Sequence, residues 1–143
     1  MKTKICIVLS LMFAVVFSIN AQTKSSDLLG AWKLLTYKYG DSPIQFTTDS
    51  IQHIKLITST NFIWVRFPSN DRLVREVAGG TYSFNNGNYT ESINFGGYTM
   101  KSYINKDQVY KVKVENGKFY LYGVMTDNQK IEEVWEKIDP QIN

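Results

Sequence analysis

Two Asn-Gly dipeptides, Asn86-Gly87 and Asn116-Gly117, each sit between stretches in which apolar and polar residues alternate. Asn-Gly favours the type I′ turn, because both residues tolerate positive φ and the twist of that turn matches the twist of paired strands. Each dipeptide therefore predicts a tight hairpin with a fixed register. Across Asn86-Gly87, Asn85 faces Asn88, Phe84 faces Tyr89 and Tyr82 faces Glu91. One face then carries Thr81, Ser83, Asn85, Asn88, Thr90, Ser92 and Asn94, which are all polar and belong in solvent. The other carries Tyr82, Phe84, Tyr89, Glu91, Ile93 and Phe95 and belongs in a core. Across Asn116-Gly117, Val114 meets Phe119 and Val112 meets Leu121 on the inward face, while Lys111, Lys113, Glu115 and Lys118 face out beside Tyr120 and Tyr122.

The same alternation recurs along the chain, and no window sustains a helical period over three turns. Eight strands are predicted, over residues 30–39, 50–58, 61–67, 79–85, 88–95, 108–115, 118–125 and 130–138, with Ser59-Thr60 turning a third hairpin. Eight antiparallel strands joined by short turns leave two raw edges, and closure removes both. The expected fold is all-β: an eight-stranded antiparallel up-and-down barrel, with an open two-sheet sandwich as the alternative. A barrel of eight strands is just wide enough to be filled by side chains or to hold one small ligand. The longest predicted loops, 41–49 and 68–78, are the candidates for a lid or a short helix.

Lys2 and Lys4 precede a 13-residue apolar stretch over residues 5–17, and Ala21 offers a small residue before a cut. This pattern reads as a secretory signal over residues 1–21, too short to span a bilayer as a helix. A tail over 22–27 and one domain over 28–140 follow, and the protein is expected to be secreted or periplasmic. Without the leader, 14 basic residues stand against 13 acidic ones, a net charge of +1. So small a charge provides no long-range field for nucleic acid. The single cysteine, Cys6, falls within the leader, so the remainder has no disulfide, no thiol nucleophile and no cysteine ligand. With one histidine besides, the usual zinc and haem arrangements are excluded, and no metal, cofactor or catalytic residue is assigned.

Gly30-Ala31-Trp32 opens the first strand, and Val134-Trp135-Glu136-Lys137 closes the last. Here the chain resembles the lipocalin-like barrels, whose Gly-x-Trp closes the bottom beneath a basic residue from the last strand. Lys55-Leu56-Ile57-Thr58, Phe62-Ile63-Trp64-Val65, Gly79-Gly80-Thr81-Tyr82, Tyr89-Thr90-Glu91 and Ile131-Glu132-Glu133-Val134-Trp135-Glu136 are similar to secreted lipocalin-like proteins of Gram-negative gut bacteria. The resemblance spans about residues 28–138 and implies a barrel with a binding role. It departs from the classical pattern in carrying Lys137 where that family uses Arg, and in having only a distant echo of Thr-Asp-Tyr in Thr126-Asp127-Asn128. Trp32, Trp135 and Lys137 are accordingly the expected closure residues.

The candidate ligand-binding residues are Trp64, Arg66, Tyr82, Phe84, Tyr89, Glu91 and Phe119. Glu91 is the one charge on an otherwise aromatic and aliphatic face. An inward carboxylate needs a partner, and Arg66 is the expected one if Phe62 and Trp64 point inward with it. His53 is the only side chain with an ordinary pKa near neutrality, and its strand position is more simply that of a wall residue. Glu132 and Glu133 straddle two faces of one strand. Three functions compete. The first is a binding module that holds a small hydrophobic or amphipathic molecule in a cavity of ~300 Å³ or more. The second is an envelope accessory protein with a filled barrel and an outer patch of Tyr37, Tyr39, Tyr120 and Tyr122. The third is a barrel isomerase or hydrolase using Glu91 with His53 or Arg66.

Overall fold

The computed structural model describes residues 22–139. The leader read over residues 1–21 lies outside the described residues. Nine strands form one antiparallel sheet: β1 (Gly30–Tyr39), β2 (Gln45–Phe46), β3 (Ile51–Ile57), β4 (Asn61–Pro68), β5 (Glu76–Asn85), β6 (Asn88–Gly96), β7 (Asp107–Glu115), β8 (Lys118–Val124) and β9 (Lys130–Lys137). From β3 onward each strand pairs with the next in sequence, and β1 pairs with both β3 and β9. Eight strands therefore close into an up-and-down barrel, and the sandwich alternative is overturned by the seam in which Trp32 faces Lys137 and Leu34 faces Trp135. The ninth strand, β2, is a two-residue patch on β1 at Thr36 and Tyr37. It lies in the loop 41–49, which forms no helix. The second long loop is shorter than expected, because β5 begins at Glu76, paired with Arg66, rather than at Gly79.

The Asn-Gly registers are those read from the turns: Asn85 faces Asn88, Tyr82 faces Glu91, Val114 faces Phe119 and Val112 faces Leu121. Tyr89 and Ile93 are buried, whereas Tyr82 and Phe84 are half-buried near the turn; Ser83 and Asn85 are exposed, and Thr90 and Ser92 half-buried. Phe95 breaks the pattern, at 49% exposed. Gly80 faces Ile93 but Gly79 faces Phe95, so Asn94 is an extra residue, a β-bulge that flips Phe95 to the outer face. There its ring lies against Gly79, where a Cβ would sit 2.5 Å from Phe95 Cζ.

The turns at 59–60, 86–87 and 116–117 all fall at the end of the barrel where β1 starts and β9 finishes. That end is closed. A short 3₁₀ helix, Ser25–Leu28, crosses it, and Leu28 and Trp32 are fully buried there. Trp32 Nε1 donates to the Leu28 carbonyl at 2.8 Å. Lys137 Nζ lies 5.1 Å from the Trp32 ring centroid, a cation–π contact. Gly30 makes room for it: a Cβ at Gly30, whose φ is +123°, would sit 3.2 Å from Lys137 Cε.

Candidate functional site

The interior is filled from the closed end upward by aromatic rings. Trp32 meets Phe119 at 5.5 Å between centroids, Phe119 meets Tyr89 at 5.9 Å, and Tyr89 meets Tyr82 at 5.2 Å. These rings form a plug. Lys55 lies on top of it, with Nζ 5.9 Å from the Phe119 centroid, 6.0 Å from Tyr89 and 4.9 Å from Trp135. Its ammonium donates to Glu91 Oε1 at 2.8 Å, and both side chains are almost wholly buried.

Above this pair is a cavity of about 210 Å³. Its walls include Trp64, Trp135, Tyr39, Tyr103 and Tyr110, with Lys55, Glu91 and Glu133 as charges within it and Glu76 at its edge. A 3₁₀ helix, Tyr98–Tyr103, packs against β5 and β6 and contributes Thr99, Met100 and Tyr103 to the lining. The covering helix thus comes from the segment after β6, not from either loop expected to supply it.

Glu133 is buried beside the pair. Its Oε1 accepts from Tyr39 Oη at 2.8 Å and its Oε2 from Trp135 Nε1 at 3.0 Å. Burial pushes its carboxyl above the ordinary range, against the pull of Lys55 and of these two hydrogen bonds. The same burial, with Glu133 beside it, pushes the Tyr39 hydroxyl up. His53 packs edge-on against Trp64 and Trp135, at 5.1 and 5.2 Å. Burial, then the charges of Lys55 and Arg66, pull its pKa down to about 3, so it is neutral at neutral pH. Among the described residues, His53 Nε2 and Tyr89 Oη are buried without a hydrogen-bond partner.

Of the residues proposed from sequence, Trp64 and Glu91 line this cavity. Tyr82, Phe84, Tyr89 and Phe119 do not: Tyr82, Tyr89 and Phe119 belong to the plug, and half-buried Phe84 packs against the core. Phe84, Tyr89 and Phe119 sit near the closed-end turns, below the charged layer, and Tyr82, though opposite Glu91 in register, reaches down to the 59–60 turn, where its hydroxyl donates to the Thr58 carbonyl. Arg66 is not the partner of Glu91. It shares the inward face of β4 with Phe62 and Trp64, but two residues nearer the open end than Trp64. There it pairs with Glu76 at 3.6 Å, its side chain 41% exposed, in a cleft with Tyr37, Phe46 and Thr47. Trp135 lies in the closing seam by its backbone, yet its ring faces the cavity rather than the barrel bottom.

Lys55 and Glu133 were missed. The Ser59-Thr60 turn carried the signal for Lys55, since it sets Lys55 opposite Trp64. For Glu133 the signal was its i, i+2 relation to Trp135 on one strand face.

Residues 27–143 match the family model described as a domain of unknown function, DUF4488. The chain belongs to this family. This DUF4488 chain is similar in structure to a lipocalin-like protein from Bacteroides uniformis, with 16% identity, a TM-score of 0.57, and coverage of 78% of this chain and 99% of that one. It is also similar to an uncharacterized protein from Bacteroides eggerthii, with 16% identity, a TM-score of 0.55, and coverage of 77% and 98%. A redesigned β-barrel matches with 13% identity, a TM-score of 0.51, and coverage of 80% and 95%. No curated protein matches the chain. At such identities the likeness is one of fold, and it bears out the barrel that the lipocalin-like resemblance implied.

Proposed function

We propose that this DUF4488 protein binds a small molecule with an apolar body and a polar end inside the barrel. The observation that carries this reading is the cavity of about 210 Å³ floored by the Lys55–Glu91 pair. A barrel serving only as structure gains more from apolar filling than from buried charge, because desolvating an ion pair commonly cancels its attraction. Charges held at the bottom of an aromatic pocket instead supply the few placed polar groups that orient a ligand. At about 210 Å³ the cavity falls short of the ~300 Å³ expected of a binding module, so the proposal is restricted to a compact ligand. The leader read over residues 1–21 is the reason for proposing an exported carrier or sensor.

The competing readings have less support. Tyr37 and Tyr39 turn inward, so an outer patch of four tyrosines is not formed. No acid–base pair runs through His53 Nε2, which has no hydrogen-bond partner among the described residues.

Native mass spectrometry of the protein purified from its own host tests the proposal. The wild type is expected to carry an organic mass that is released on denaturation, and Leu121→Phe, which adds volume to the cavity wall, is expected to carry none. A bare polypeptide mass for the wild type, or the same adduct on both proteins, would count against interior binding.

A further inference from the structure

The acidic groups around the cavity outnumber the bases paired with them. Three carboxylates, Glu76, Glu91 and Glu133, border it. Arg66 pairs with Glu76 at the edge and Lys55 with Glu91 at the floor. Glu133 is held only by neutral donors, Tyr39 Oη and Trp135 Nε1, and makes no ion pair among the described residues. His53, the remaining ionisable nitrogen in the wall, packs against two tryptophan rings and makes no hydrogen bond through Nε2 among the described residues. The deep interior thus holds one ammonium and two carboxyl groups, and Glu133, whose pKa burial raises, is the one with no cation against it. A carboxylate taken from water is costly unless a cation or a full set of hydrogen bonds replaces the water.

The rest of the wall suits a cation. The rings of Trp64, Trp135, Tyr39, Tyr103 and Tyr110 surround the space. Aromatic faces attract ammonium groups through their quadrupole, most strongly where water is excluded. Lys55 already shows this chemistry, its Nζ lying 4.9 Å over Trp135. An anionic ligand would meet an ammonium already paired with Glu91 and a second carboxyl group beside it.

We infer that the cavity selects a small organic cation, an amine on a compact apolar or aromatic body, whose charge is matched by Glu133. This deepens the interior-binding reading and rests on it. The ammonium meets the Glu133 carboxyl group where it lines the cavity, and the body lies among Trp64, Tyr103 and Tyr110.

Three probes of one shape separate the alternatives: 2-phenylethylamine, 2-phenylethanol and phenylacetate, titrated calorimetrically into the full chain at neutral pH. The amine is expected to bind about tenfold or more tighter than the alcohol, and phenylacetate most weakly. Glu133→Gln is expected to remove the preference for the amine over the alcohol. Glu132→Gln, which removes an exposed carboxylate from the outer face of the same strand, is expected to keep it. The wild-type order of the probes decides even if Glu133→Gln does not fold. Alcohol or acid bound as tightly as the amine would overturn the cation assignment and leave interior binding intact. No heat with any of the three would overturn this inference and count against interior binding as well.

Discussion

Lys55 and Glu91 form a contact whose energetic meaning depends on which partner is removed. Each is buried, and each is the other's only ion-pair partner among the described residues. Lys55→Met strands the buried Glu91 carboxylate, so thermal or urea unfolding is expected to show a loss of about 3–5 kcal/mol. The double variant Lys55→Met/Glu91→Leu removes the charge with its partner and is expected to recover most of that loss. A double variant as unstable as the single one would mean that the pair itself, rather than an orphaned charge, is what matters. His53 gives a second expectation at this scale. Its pKa falls from 6.5 to about 3 on folding, so between these values the unfolded chain binds the proton and the folded one does not. The stability this group contributes is present above 6.5 and is lost as pH falls toward 3, by about 1.4 kcal/mol per pH unit within the window. Glu133, with its raised pKa, contributes the opposite slope, so the comparison must be with a variant. The stability difference between wild type and His53→Gln should shrink as pH drops from 7 to 4. A constant difference would show that His53 is not held neutral.

Strands were legible where a turn announced them, and illegible where a bulge changed parity. The Asn86-Gly87 and Asn116-Gly117 hairpins follow from their turn residues alone, register included. Two bulges defeat alternation. The extra residue Leu35 in β1 flips the strand, so Tyr37 and Tyr39 join the interior face opposite Glu133 and Ile131 instead of the outside. Asn94 does the same for Phe95 in β6. A bulge is set by how two strands fit together, and neither strand's own pattern reveals it. The β6 bulge has one local requirement. A Cβ at Gly80 would lie 2.0 Å from the Ser92 carbonyl oxygen and 2.8 Å from the Asn94 backbone nitrogen. Gly80→Ala must push backbone aside, so a loss on the order of 1–3 kcal/mol is expected in chemical denaturation. Gly117→Ala, with nothing within 4 Å of the added carbon, should meet no such clash and should cost only the strain of its positive φ. Equal losses at both sites would contradict the close approach at Gly80.

Taken whole, the barrel is divided by depth. Trp32, Leu28 and Lys137 seal one end, the Phe119–Tyr89–Tyr82 rings fill above them, the Lys55–Glu91 layer follows, and the cavity lies toward the far end. The sequence motifs anticipated closure and the inward carboxylate. They counted the aromatic plug among the ligand-binding residues and gave Glu91 the partner Arg66 without considering Lys55, because depth along the barrel depends on how all eight strands stagger. The three tryptophans sample this division. Trp64 and Trp135 line the cavity, whereas Trp32 is sealed at the other end with its Nε1–H on the Leu28 carbonyl. The indole Nε1–H resonances of the full chain, followed by NMR during titration with 2-phenylethylamine and with 2-phenylethanol, therefore report where a small molecule sits. Interior binding predicts that the Trp64 and Trp135 signals shift with a common saturation curve while the Trp32 signal stays in place. A titration that moves Trp32 as much as the other two, or that saturates with all three unmoved, would contradict a ligand site above the Lys55–Glu91 floor.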